Sequence, residues 1–345
     1  MKAAVYRGPD RMLIEELPTP ELGTGELLVR VHTCGVCGTD LKKIQYGLVD
    51  PPRVFGHEIA GTVAVVAAGE TEWKVGERVV IQHHVPCGDC FYCRRKLYAS
   101  CPVYKRTGLT AGFEPAGGGF SEFVRVLPFA RRGIVRIPDH VSFETASFVE
   151  PLNTVLKGVQ TARVEAGETA LVIGQGPIGL LFTQALLARG LQVIATDLFE
   201  ARRCIAARFG ATAVDPRVTD MPALCRERTE GRGADLAIIA VASTAVISGA
   251  LAAVRPAGRV LLFAQTRLGE ETPVDVGQVC MLEKALLGSY SSDLDLQPLA
   301  ADLLFTGQIQ IEPLITHRFP LEQITDALKV ASNPGPASLK VVVQP

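Results

Sequence analysis

The feature that most constrains this chain is a stretch, from about residue 170 to 288, in which short apolar runs and helical stretches alternate strictly. The runs fall at 170–174 (ALVIG), 192–196 (QVIAT), 211–215, 235–241 (DLAIIAV), 259–264 (RVLLFA) and 285–288. Helical stretches such as 178–189 and 200–209 separate them. Runs this short and this apolar are strands covered on both faces, and strict strand–helix alternation makes the sheet parallel. The expectation is a doubly wound α/β domain.

The chain before that stretch has another texture. Strand-like runs at 26–32 (ELLVRVH), 61–67 (GTVAVVA) and 77–82 (ERVVIQ) are punctuated by Gly and Pro, as in a compact, barrel-like β unit. Residues 97–119 read as loop, ending in a Gly-rich AGGGF segment at 116–120. The tail after 288 carries a helical stretch at 321–330 and a final strand, LKVVVQ, and is expected to pack back onto the first domain. A chain of 345 residues exceeds what one ordinary core needs. The expected division is 1–150, 151–288 and a returning 289–345.

Composition removes several function classes. Lys and Arg number 35 and Asp and Glu 36, so no net field draws the protein to nucleic acid or an anionic membrane. No apolar run reaches membrane-spanning length, and the N-terminus meets charge at once, without a signal-peptide core. A cytoplasmic location is expected. There the nine cysteines are better read as metal ligands, catalytic groups or core residues than as disulfides.

Three motifs carry chemistry. Gly174-Gln175-Gly176-Pro177-Ile178-Gly179 follows the apolar strand ALVI directly and opens a helix. In that context the first glycine permits a tight turn and the second lets backbone amides approach a pyrophosphate. The third allows helix to pack closely on strand. Asp197 ends the next strand, where a carboxylate would bind an adenosine ribose and repel a 2′-phosphate, so NAD is expected over NADP. Arg202 and Arg203 follow, either flanking the adenine or lining an exposed helix face.

Cys87, Cys90, Cys93 and Cys101 place four thiols within one short loop. Zinc takes four soft ligands in a tetrahedron, and two-residue gaps let a turning backbone aim successive sulfurs at one ion. Four thiolates leave no open position, so this is a structural site. The loop's Arg94, Arg95 and Lys96 leave room for a nucleic-acid-binding zinc ribbon as a rival. A third set is scattered: Cys37 in GVCGTD, His57 and Glu58 in GHE, and Glu150 in VEPL. From spacing alone it goes no further than a possible mixed-ligand zinc site.

GVCGTD, GHE, the four-cysteine loop, VEPL and the glycine turn with its downstream Asp197, in that order, resemble the zinc-containing medium-chain dehydrogenase/reductase superfamily. Glu150 before Pro151 is similar to the polyol (sorbitol or iditol) and threonine dehydrogenase branch. The resemblance implies a GroES-like catalytic domain beside a Rossmann NAD-binding domain, two zinc ions per chain, NAD, and a homo-oligomer, tetramer more than dimer. It implies that Cys37, His57 and Glu150 bind or approach the catalytic zinc, with Glu58 as an alternating or water-linked ligand. Thr39 matches the hydroxyl that relays the substrate proton, and Asp40 the carboxylate that orients the zinc histidine. Cys34 matches no ligand and reads as a small buried residue. Two positions depart from sorbitol dehydrogenases: Ser289-Tyr290 stands where they carry Arg-Tyr, and Lys43 where they carry tyrosine. The implied chemistry is zinc-assisted oxidation of a small alcohol with hydride transfer to the nicotinamide. The alternative is a zinc-free, quinone reductase-like or structural relative that binds nucleotide only.

Overall fold

The computed structural model describes every residue except 10, 105, 115, 116, 265, 267 and 268. Ala116, at the head of the Gly-rich loop segment, therefore lies outside the described residues. The chain divides into two compact units, Met1–Asn153 with Ser292–Pro345, and Thr154–Ser291.

The first unit is built on a curled, mainly antiparallel sheet. Its strand order is Ile315–Pro320, Lys340–Gln344, Leu27–Gly35, Glu58–Val66, Arg78–Ile81 and Val135–Arg136. Phe123–Val126 joins the free side of Leu27–Gly35 over Leu27–Arg30, while Lys340–Gln344 takes the same strand further on, at Cys34 and Gly35. The core contains Tyr6, Leu27, Ile59, Ile81, Leu109 and Phe120, all fully buried. Each such side chain contributes about 1.5–3 kcal/mol over its exposed state. The Glu58–Val66 strand starts three residues before the expected 61, because Ile59 and Glu58 continue the ladder opposite Cys34 and Gly35. Gly61 is required there, since a Cβ would stand 2.1 Å from the Arg30 carbonyl oxygen. Within the stretch read as loop, Tyr98–Ser100 forms a 3-10 turn and Leu109–Thr110 a short strand. The tail helix is Ile324–Ser332, and the last strand is Lys340–Gln344.

The second unit is a six-stranded, wholly parallel sheet. Its order is Thr212–Val214, Gln192–Thr196, Thr169–Ile173, Ala234–Ile239, Val254–Leu262 and Ala285–Gly288. The first strand of this unit thus lies inside the sheet, and the order reverses beside it, which creates the crevice where doubly wound sheets take ligands. Val254–Leu262 begins five residues before the expected 259, with a register shift opposite Ala234 and Leu236. The helix Pro177–Leu187 is buried along most of its length, which explains its nearly all-apolar sequence. A helix that the sequence reading did not anticipate, Val149–Ala162, carries Glu150 in its first turn. No helix among the described residues is long and apolar enough to cross a membrane.

Candidate active site and cofactor turn

Cys37 serves as the N-cap of the helix Gly38–Gln45. Its sulfur accepts the Thr39 amide at 3.5 Å, and Asp40 reaches back to accept the Cys37 amide at 3.2 Å. This reciprocal cap fixes both side chains at once. The other oxygen of Asp40 lies 3.0 Å from His57 Nδ1, with Asp40 only 1% exposed. Burial works against ionisation of Asp40, but the facing imidazole outweighs it and holds the carboxyl below its usual range. Burial likewise disfavours the His57 imidazolium, yet Asp40 and Cys37 raise its pKa well above the usual value. With Nδ1 committed to Asp40, Nε2 is the nitrogen left to meet an ion. The backbone before His57 turns through Gly56 at φ +94°, where a Cβ would also clash with Cys34 and Phe120. Cys34 itself is fully buried.

Glu58 opens the strand that follows. Lys340 Nζ donates to its Oε1 at 2.6 Å and to the Val36 carbonyl at 3.1 Å, all three groups being buried. Gly35 makes the space, since a Cβ there would lie 1.9 Å from a Glu58 oxygen. Donor atoms of Cys37, His57 and Glu58 all fall within 4.8 Å of one another, the compactness that one ion requires. Glu150 stands outside that compact group. It is buried in its helix turn, where desolvation pushes its carboxyl up to about 7, His57 opposes the rise and Glu58 adds to it. Thr39 lies half-buried in the first turn after Cys37.

Two neighbours escaped the sequence reading. Lys340 lies 282 residues from Glu58, and nothing near it in the chain signals a partner. The His83-His84 doublet, just before the cysteine loop, was the one available clue to the other. The His57 and His83 rings lie 4.6 Å apart, and those of His83 and His84 3.9 Å apart.

In the cysteine loop, Sγ atoms lie 3.8 Å apart for Cys87–Cys93, 3.5 Å for Cys90–Cys93 and 3.6 Å for Cys87–Cys101. A tetrahedron with Zn–S bonds of about 2.3 Å has edges of about 3.8 Å. The spacing therefore fits zinc and is far too long for disulfides. Backbone amides of Asp89 and Cys90 bring the Cys87 thiol down to about 6. The basic triplet is engaged within the unit: Arg94 pairs with Asp89, Arg95 stacks over Phe91, and Lys96 pairs with Asp295.

In the second unit, Gly174 adopts φ +92° and Gly176 caps the helix that Pro177 and Ile178 begin. A Cβ on Gly179 would stand 1.8 Å from the Gly174 carbonyl oxygen, whereas Gly176 faces open space. This is the division of labour expected of a pyrophosphate turn. Asp197 accepts the amides of Gln175 at 2.7 Å and Phe199 at 2.9 Å, and Arg202 lies 3.7 Å from it. Neither arginine lines an exposed face. Arg202 sits over the Phe199 ring, and Arg203 donates to the Asp197 carbonyl at 2.8 Å and pairs with Asp215.

Residues 23–139 match the alcohol dehydrogenase GroES-like domain family, and residues 177–305 match the zinc-binding dehydrogenase family. The chain is similar to sorbitol dehydrogenase of Bacillus subtilis (strain 168), 30% identical over 100% of this chain and 97% of that protein. It is 34% identical to D-altritol 5-dehydrogenase of Agrobacterium fabrum, over 99% of this chain and 98% of the relative. A zinc-binding dehydrogenase from Sinorhizobium meliloti 1021, solved bound to NADP, superposes with a TM-score of 0.89 at 29% identity, covering 100% of this chain and 99% of that one. End-to-end relatives, and family matches over both the β unit and the parallel-sheet unit, show that the chain belongs to the zinc-binding dehydrogenases of the medium-chain family.

Proposed function

We propose that the protein oxidises a secondary alcohol of the polyol class, with NAD as hydride acceptor. The observation that carries this reading is the convergence of the half-buried Cys37 and the buried His57 and Glu58 donors within 4.8 Å, backed by Asp40. A thiolate, an imidazole and a carboxylate suit zinc. The donors come from three separate segments, and catalytic zinc sites characteristically keep a position for substrate. Cys37 and His57, with Glu58 and Glu150 in alternation, would hold the catalytic ion, and Cys87, Cys90, Cys93 and Cys101 the structural one.

When bound, zinc lowers the pKa of a substrate hydroxyl and the nicotinamide accepts the hydride. The chain's own residues do the rest. Asp40 fixes the tautomer and angle of His57. Lys340 pins Glu58 and offsets its charge in a buried setting. Thr39, two residues after Cys37, would carry the released proton outward through its hydroxyl. In the second unit the amides around Gly176 receive the pyrophosphate, and Asp197 takes the adenosine ribose. The relatives' names point to polyols, and a 3-hydroxy amino acid is the neighbouring alternative within the same chemistry.

A reducing cytoplasm fits nine cysteines, none in a disulfide among the described residues. A homo-oligomer, tetramer before dimer, follows from the family resemblance and is read by analytical ultracentrifugation. The test of the activity is NAD reduction across polyols, L-threonine and simple secondary alcohols, alongside zinc analysis. NADH formation with two zinc ions per chain, one for each donor group, is expected. A zinc-free protein that reduces no NAD with any of them overturns the reading in favour of a nucleotide-binding relative. Asp197→Ala is expected to move the NAD-to-NADP ratio of kcat/KM at least about tenfold toward NADP. An unmoved ratio removes Asp197 from the ribose site.

A further inference from the structure

A column of rings ties the metal-competent group to the cysteine loop. His57, His83, His84 and Tyr104 stack at a tilt, with successive centroids 4.6, 3.9 and 5.0 Å apart and interplanar angles of 35°, 39° and 34°. The column starts at a donor of the Cys37–His57–Glu58 group. It ends inside the cysteine loop, where the fully buried Tyr104 packs with Cys93 and Cys101. The Tyr104 amide also donates to the Cys101 carbonyl at 3.0 Å.

The rings beyond His57 are anchored from outside the column. The Tyr104 hydroxyl donates to the Ser292 carbonyl at 3.0 Å and lies 3.2 Å from the Ser292 hydroxyl. Gln82 Nε2 donates to that same hydroxyl at 3.0 Å and to the His84 carbonyl at 3.1 Å. The Gly108 amide donates to the His83 carbonyl at 2.8 Å. His83 is 6% exposed, and its Nδ1 has no hydrogen-bond partner. Packing against its neighbours, not a hydrogen bond at that nitrogen, therefore sets the plane of the ring.

His57 needs such a neighbour. Asp40 grips it at Nδ1 alone, 3.0 Å away. One hydrogen bond at a ring edge fixes a direction within the ring plane but not the plane itself, and the position of Nε2 depends on both. We propose that His83, backed by His84 and Tyr104, fixes the plane of the His57 imidazole, so that the closed cysteine loop braces the open ion site. The inference rests on the catalytic-zinc reading of the Cys37 group and adds positioning residues to it. His83, His84 and Tyr104 act through His57 and are not ligands.

The experiment reads retention of the ion at the Cys37 group rather than turnover. Release of zinc to a chelator is followed by metal analysis, and enzyme carrying cobalt(II) at that group reports ligand geometry through its visible bands. His83→Leu fills the space without a ring and is expected to weaken zinc binding there about tenfold and to shift the cobalt bands. His83→Phe restores a ring and is expected to stay within about twofold of wild type. Tyr104→Leu is expected to weaken binding about threefold, whereas Tyr104→Phe, which keeps its ring, stays near wild type. The double variant His83→Leu/Tyr104→Leu is expected to bind no more weakly than His83→Leu, because the column is already cut.

Leucine variants with wild-type retention and unshifted bands overturn the proposal. So does a loss in His83→Phe as large as that in His83→Leu, which would place the effect in the nitrogens. A double variant whose two losses multiply overturns the column as a unit. Melting temperatures show which variants fold, and the Tyr104 pair decides alone if His83→Leu does not. A wild type that takes up no ion at the Cys37 group overturns the zinc reading itself, and this inference with it.

Discussion

The cysteine loop and the Cys37–His57–Glu58 group both bring metal donors within reach of one ion, by opposite routes. In the loop every donor lies between residues 87 and 101, and a 3-10 turn at Cys93–Arg95 with a left-handed Gly88 points the sulfurs inward. Four identical soft donors close the tetrahedron, and some of them remain near the surface. In the other group a helix cap, a glycine-permitted turn and the first residue of a strand each supply one donor, and the two carboxylates around them are buried. Asp40 supports it from the helix that Cys37 caps, and other supports come from further away still: Glu150 from another helix and Lys340 from the last strand. A site that only needs to be closed can be encoded locally. One that must stay open while holding charge in a dry interior needs the whole unit to build it.

That contrast yields outcomes that break or sharpen it, in falling order of effect on turnover. Cys37→Ser is expected to lower kcat/KM by about 10³-fold or more while NADH binding, read by fluorescence titration, stays near wild type. Full activity in that variant would remove Cys37 from the chemistry and leave the two groups without a difference in kind. Asp40→Asn keeps the side chain's shape but loses the charge facing His57. The expected cost is about 10- to 100-fold in zinc affinity or kcat/KM, measured by competition with a chelator and by steady-state rates. A change below twofold in both would mean that the carboxylate serves only the helix cap. Cys93→Ser is expected to lower kcat of the folded enzyme by less than about twofold, because a closed tetrathiolate contributes folding energy rather than chemistry. The melting temperature should fall roughly 5–10 °C, from about 3–4 kcal/mol of zinc-linked stability. Zinc analysis should show loss of one of the two ions. A large loss of kcat at constant folded fraction would mean that the loop takes part in catalysis.

Much of the parallel-sheet unit was legible because its signals are local. An apolar run, three glycines at fixed offsets and a carboxylate at the end of the next strand all sit within Thr169–Ile173, Pro177–Leu187 and Gln192–Thr196 and the turns that follow those strands. The boundaries that slipped did so where pairing partners decide strand length. Glu58 joins its strand because Gly35 lies opposite, and Val254 joins its strand because Ala234 does. The helix carrying Glu150 was missed although Pro151 sits in its first turn, a position proline tolerates well. From the sequence the arginines after Asp197 either flank the adenine or line an exposed helix face. The fold draws both in, setting Arg202 beside the Asp197 carboxylate and over the Phe199 ring, and Arg203 against the Asp197 carbonyl and the Asp215 carboxylate.

The sequence by itself determined the class of the parallel sheet, the glycine turn with Asp197, and the four-sulfur cluster, because each depends on residues a few positions apart and on period and offset alone. Tertiary structure alone decided which of the scattered donors meet. It set Lys340 against Glu58 and the His83 ring against that of His57. Those contacts join residues separated by tens to hundreds of positions, and the packing of the curled sheet, not any local pattern, fixes where their side chains end.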